Sequence, residues 1–103
     1  MTIQVANVTT VGNTVYTSVG NTAITFMSIC NYSTGNVTAN VHVVPNGGTV
    51  GNTNIVLATL PLSSQDTYQL YAAGEKLLLG NGDTIQISAN ANTVTAVTSF
   101  TTI

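Results

Sequence analysis

Asn36–Val44 reads N-V-T-A-N-V-H-V-V, and its pattern decides the fold. Val37, Ala39, Val41 and Val43 fall at every second position, with Asn36, Thr38, Asn40 and His42 between them. An extended backbone sends successive side chains to opposite faces, so this segment predicts a strand with the valines facing inward and His42 among the outward residues. At 3.6 residues per turn the same residues would scatter around a helix. Pro45-Asn46-Gly47-Gly48 follows, and these residue types supply turns, the proline having no N–H to give a ladder.

Period-two segments bounded by Gly, Asn and Pro recur on both sides, and apolar residues nowhere keep helical spacing for more than one turn. Upstream, Thr2 to Val8 places Ile3 and Val5 on one face, and Thr14 to Val19 does the same for Val15, Thr17 and Val19 before a Gly20-Asn21 turn. Thr22 to Asn31 is apolar on both faces through Ile24, Phe26, Met27 and Ile29, which predicts a central strand covered on both sides. Downstream, Asn54 to Leu60 resumes the alternation and is expected to end at Pro61; Thr67 to Tyr71 is a further short strand. Ala72 to Leu79 reads as a loop carrying a hydrophobic plug rather than a helical turn. Asn81-Gly82 predicts a type I′ hairpin turn joining Leu77–Leu79 to Thr84–Ala89, with Ile85, Ile87 and Ala89 inward. Thr93 to Phe100 sets Val94, Ala96 and Phe100 against Thr93, Thr95 and Ser99. Gly-Asn-Thr occurs at residues 12–14, 20–22 and 51–53, an irregular spacing that marks a reused turn rather than a repeat. The prediction is an all-β fold: a single antiparallel β-sandwich domain over residues 1–103, of about eight strands, jelly-roll or immunoglobulin-like.

Composition agrees and narrows the chemistry. The chain has 103 residues, enough for one core. Hydrophobic residues make up 44% but charged ones only 4%, against roughly 25% in ordinary soluble domains. Thr, at 19 positions, supplies much of the polar remainder and suits a pleated surface. One Lys, no Arg and a net charge of -2 cannot neutralise a run of phosphates, which excludes nucleic acid as a main partner. No stretch approaches the ~18 apolar residues of a membrane-spanning helix. Met1-Thr2-Ile3-Gln4 lacks the basic start and apolar core of a signal peptide, so the expectation is a soluble chain made in the cytoplasm.

The pool for acid–base or nucleophilic chemistry is Asp66, Glu75, Asp83, His42, Lys76 and Cys30. A carboxylate pair needs two acids a few ångströms apart, whereas Asp66 and Asp83 each sit where a turn meets a strand and Asp bonds nearby backbone N–H groups. Cys30 lies in the apolar run from Ile24 and reads as a buried, inert thiol. His42 reads as outward, so the two are not expected to form a nucleophile–base pair. One His and one Cys fall short of a four-ligand zinc site, and Asn81-Gly82-Asp83 is not followed by the second carboxylate of a calcium loop. No Gly cluster precedes a helix that could hold phosphate. Asn7, Asn31 and Asn36 open Asn-X-Ser/Thr triplets, expected by chance in so Asn- and Thr-rich a chain. Tyr16, Tyr32, Tyr68 and Tyr71 are the residues suited to stacking on a sugar, and they serve a core edge or an interface equally well. The expectation is no catalytic, cofactor-binding or metal site and no enzyme; a hydrolase would require at least two of the ionisable residues to converge.

Free monomers usually guard sheet edges with charges, bulges or prolines, and this chain has almost no charges to use. A neutral surface also favours association. Both observations point to edges and outer faces covered by neighbouring subunits, although Thr and Asn also hydrate well enough to keep a neutral sandwich in solution.

Ser28-Ile29-Cys30-Asn31-Tyr32-Ser33, Val37-Thr38-Ala39-Asn40-Val41-His42-Val43-Val44-Pro45-Asn46-Gly47-Gly48 and Gly51-Asn52-Thr53-Asn54 together resemble small virion proteins of tailed bacteriophages. Asp66-Thr67-Tyr68, Glu75-Lys76-Leu77-Leu78-Leu79 and Gly82-Asp83-Thr84-Ile85 extend the likeness, which spans about residues 22 to 98 in strand and turn signatures without a chemical motif. The resemblance implies a β-sandwich virion accessory protein: a capsid decoration or cement subunit that binds the major capsid protein, forms a homo-oligomer such as a trimer, and stabilises the shell. Its alternative is a neck or tail fibre, adaptor or adhesin domain that binds a host glycan. No family binding residue is carried over by it.

Overall fold

The computed structural model describes residues 2–70 and 77–103. Among these residues there are nine strands and no helix, where the pattern predicted about eight strands. They are β1 (Thr2–Val8), β2 (Asn13–Thr17), β3 (Thr22–Asn31), β4 (Val37–Val44), β5 (Ile55–Leu62), β6 (Thr67–Leu70), β7 (Leu77–Leu79), β8 (Thr84–Ala89) and β9 (Val94–Thr102).

Two antiparallel sheets share one core. The first has the order β1-β9-β3-β6, with β7 pairing the same strand β3; the second has the order β2-β8-β4-β5. Strands β6 and β7 follow one another along β3, one opposite Met27–Cys30 and the other opposite Thr22–Ile24. Ile24, Met27, Ile29, Val94 and Ala96 from the first sheet meet Val15, Val41, Ile85, Ile87 and Leu62 from the second, all nearly inaccessible to solvent. Each fully buried large aliphatic side chain contributes roughly 1.5–3 kcal/mol. Sheets stack roughly 10 Å apart, so the shortest extent of the molecule, 18 Å, holds two layers and no third. Among the described residues no further strand or helix lies over either outer face.

Several elements depart from the sequence pattern. The alternation of β4 holds, with Val37, Ala39 and Val41 buried and Val43 packed against the core. Yet His42, predicted outward, is 8% exposed, because the loop from Pro45 to Asn54 covers its end of the outer face. Val44 is buried there too, against the loop's Gly48. In β2 a register shift between Thr14 and Tyr16 turns both Val15 and Tyr16 into the core. Val19, expected to share a face with Val15, lies past the strand at 77% exposure. β5 continues through Pro61, which is tolerated because β5 is an edge strand.

Asn81-Gly82 is not a hairpin. β7 belongs to the first sheet and β8 to the second, so the turn passes between layers. Gly82 has φ +84° while Asn81 does not take positive φ, the requirement of a type II rather than a type I′ turn. Asp83 holds this crossing in place: its Oδ2 accepts from Gly80 N at 2.8 Å and its Oδ1 from Asn46 N at 2.9 Å. Of the loop expected over Ala72 to Leu79, Ala72 to Lys76 lie outside the described residues; Leu77–Leu79 form β7, and Leu79 plugs into the core.

Candidate interaction surface

Among the described residues, Cys30, His42, Asp66 and Asp83 are kept apart by the fold. Cys30, expected to be buried, is only half-buried, on the outer face of the first sheet, because the core side of β3 is taken by Met27 and Ile29. His42 lies under a loop on the outer face of the second sheet. The whole sandwich separates them. Asp66 sits before β6 at the Asn31 end of the molecule, accepting from Thr67 N at 3.0 Å, whereas Asp83 sits at the opposite end. Glu75 and Lys76 lie outside the described residues. No group of three or more His, Cys, Asp or Glu comes together among the described residues.

A shallow depression of about 110 Å³ on the second sheet is lined by Val11, Gly12, His42, Val50, Gln86, Ile87 and Ser88. Small-molecule sites usually span ~300–1,000 Å³, so this one accommodates little more than a single side chain. The tyrosines do not form a stacking platform either. Tyr16 is buried with its ring 4.5 Å from that of Phe100. Tyr32 is tied towards β1 and β9, its hydroxyl donating to the Asn92 carbonyl at 3.1 Å, whereas Tyr68 lies on β6 at the other edge of the sheet. Tyr71 lies outside the described residues.

Asn31 also proves structural. It is fully buried, its Nδ2 lying within donating distance of the carbonyls of Gly35 (2.8 Å), Leu62 (3.2 Å) and Ser63 (3.1 Å). Its Oδ1 accepts from Ser33 N at 3.1 Å and Ser33 Oγ at 2.8 Å. The second set is an Asx-type turn that the triplet Asn31-Tyr32-Ser33 already suggests; the long-range set has no local signature.

What remains is the outer face of the first sheet. Registers along β1, β9, β3 and β6 align Ile3 with Ser99; Val5 with Val97, Ser28 and Gln69; and Asn7 with Thr95, Cys30 and Thr67. Phe26 pairs with Ser99 beside Ile3, just past a bulge at Thr25. Ile3 and Val5 are 64% and 66% exposed, and Phe26 and Val97 are half-buried. Thus β3, expected to be covered on both sides, is buried on both at Thr22–Ile24, whereas from Phe26 to Cys30 its outward residues are only half-buried. No charged residue occurs in these rows. These rows are apolar along their middle and edged by hydroxyl and amide side chains, so a partner can cover them without desolvating an ion.

No family model, no curated protein and no solved structure matches the chain.

Proposed function

We propose that the chain is a non-enzymatic structural subunit of a phage virion: a jelly-roll decoration or cement protein that self-associates and binds the major capsid protein. The observation that carries this reading is the exposed apolar patch on the outer face of the first sheet, uncharged among the described residues. Exposed Ile3 and Val5, beside Phe26 and Val97, give it the makings of an interface core, and charged residues are depleted at such cores. The sequence resemblance supplies the particle.

The strand order supports a jelly roll. Pairs nest as β1 with β9, β2 with β8, β3 with β6 and β7, and β4 with β5, as when one long ribbon winds round a core. In an immunoglobulin-like sandwich the first strand lies beside the second in the sheet; here β1 lies beside β9. A subunit of this kind stabilises a shell by mass action, because the site it covers exists only in the assembled state.

The test is co-sedimentation of the purified protein with expanded, empty, tail-less heads, counting copies bound per particle. The expected result is saturable binding at many copies per head, lost in Val97→Lys, which sets a charge in the middle of the outer face. Absence from heads, with attachment to tails or host cells, overturns the decoration reading in favour of a fibre or adhesin.

A further inference from the structure

Among the described residues four sheet edges border the sandwich, and three carry features that hinder strand addition. β5 has two register shifts against β4, contains Pro61, and places Thr59 at φ +51° with its N–H bonded to Asn40 Oδ1 at 2.7 Å. β2 has five residues and a register shift. The edge along β3 is divided between the four residues of β6 and the three of β7. β1 differs: seven residues in unbroken register with β9, containing neither proline nor charge. Long, regular, uncharged edges are those that recruit another strand.

We infer that β1 pairs antiparallel with β1 of a second copy, about a twofold axis at Gln4. This rests on reading the chain as a self-associating subunit and specifies the contact. The register follows from the backbone. The Asn7 carbonyl accepts from Asn13 Nδ2 at 2.8 Å, on the side away from β9. In a regular antiparallel strand, alternate residues turn both N–H and C=O to the same side, so Ile3 and Val5 also turn theirs outward. With the axis at Gln4, Ile3 meets Val5 of the second copy in a hydrogen-bonded pair, twice by symmetry, which satisfies the N–H and C=O groups of Ile3 and Val5 in both copies. An axis at Val5 would instead oppose Ile3 to Asn7, whose carbonyl is already occupied.

Side chains and charge favour the same occupant. The twofold axis keeps the outer faces of the two sheets continuous and sets Ile3 against Val5, two exposed aliphatic residues, as cross-strand neighbours. Two identical surfaces repel when charged, and residues 2–8 and 94–102 contain no Asp, Glu, Lys or Arg. One strand edge with two aliphatic pairs lies at the small end of specific interfaces, below roughly 1,200 Å². The dimer therefore forms at high concentration, as beside its neighbours on a particle.

Sedimentation equilibrium of the free protein from about 10 µM to about 1 mM tests the pairing without any particle, so its outcome is independent of head binding. The wild type is expected to show a monomer–dimer equilibrium, with Val5→Lys raising the dissociation constant at least about tenfold and Val56→Lys, at the 47% exposed position on β5, leaving it unchanged. Circular dichroism checks that both variants stay folded. A wild type monomeric throughout overturns the inference, as does a dimer that survives Val5→Lys or is lost in Val56→Lys. If the protein is monomeric yet Val5→Lys abolishes binding to heads, the edge receives a strand of the capsid protein, and the second copy is the wrong occupant.

Discussion

Thr98 shows how a single residue can escape a sequence reading. It is fully buried between Gln4 and Met27 in the first sheet, and its hydroxyl has no hydrogen-bond partner. A threonine in a Thr-rich strand looks like surface, yet β9 alternates from Val94 to Thr98, and the face that carries Val94 and Ala96 carries Thr98 as well. A buried hydroxyl without a partner costs about 1–3 kcal/mol of desolvation, and valine offers the same shape without it. Thr98→Val is therefore expected to raise the unfolding free energy by about 1 kcal/mol, read from the urea midpoint at unchanged slope. Asn31 is the counterpart: its bond to Ser33 is legible from Asn-X-Ser, while its reach to Leu62 and Ser63 exists only because the β5–β6 connection folds back across the end of β3.

At the scale of elements, strand positions were largely legible and strand relations were not. Thr2–Val8, Thr22–Asn31 and Thr84–Ala89 appear with the bounds their alternation predicts. β5 does not stop at Pro61, because a proline ends a strand only where its N–H is needed by a neighbour, and an edge strand has a free side. The bulges of β5 depend on its fit to β4 and leave Thr59, a β-branched residue, at φ +51°. Glycine adopts that conformation without steric cost, so Thr59→Gly is expected to stabilise the protein by about 0.5–1 kcal/mol, measured by thermal unfolding. A loss of stability instead would mean that the threonine side chain contributes more than its backbone strain costs.

Across the whole molecule, few groups carry charge. Only four of the 103 residues do, and among the described residues the carboxylates of Asp66 and Asp83 bond to backbone N–H groups. Stability then comes from core burial and backbone ladders, neither of which salt screens. The melting temperature is expected to shift by less than about 2 °C between 0.05 M and 0.5 M NaCl, and so is the β1-mediated dimer to be insensitive to salt. A steep salt dependence of either would reveal charge pairs that this arrangement does not contain among the described residues.

The sequence by itself determined that the chain is all-β, where most strands and turns fall, and that few groups are available for chemistry. Periodicity of two, turn residues and composition are local properties, legible without knowing what packs where. The tertiary structure decided which face of each strand is inside, which strands are neighbours and what the loops cover. Alternation in β1 groups Ile3 with Val5 but is symmetric between the two faces; only pairing with β9 and packing of Val8 and Ala6 on the core turn Ile3 and Val5 outward. His42 has the pattern of a surface residue and is buried because a loop crosses it. Asn81-Gly82 has the composition of a hairpin and joins two layers, because Leu77–Leu79 pairs better with β3, some fifty residues earlier in the chain, than with the strand that follows. Closing the core is a non-local competition among strands, and no window of sequence contains both competitors.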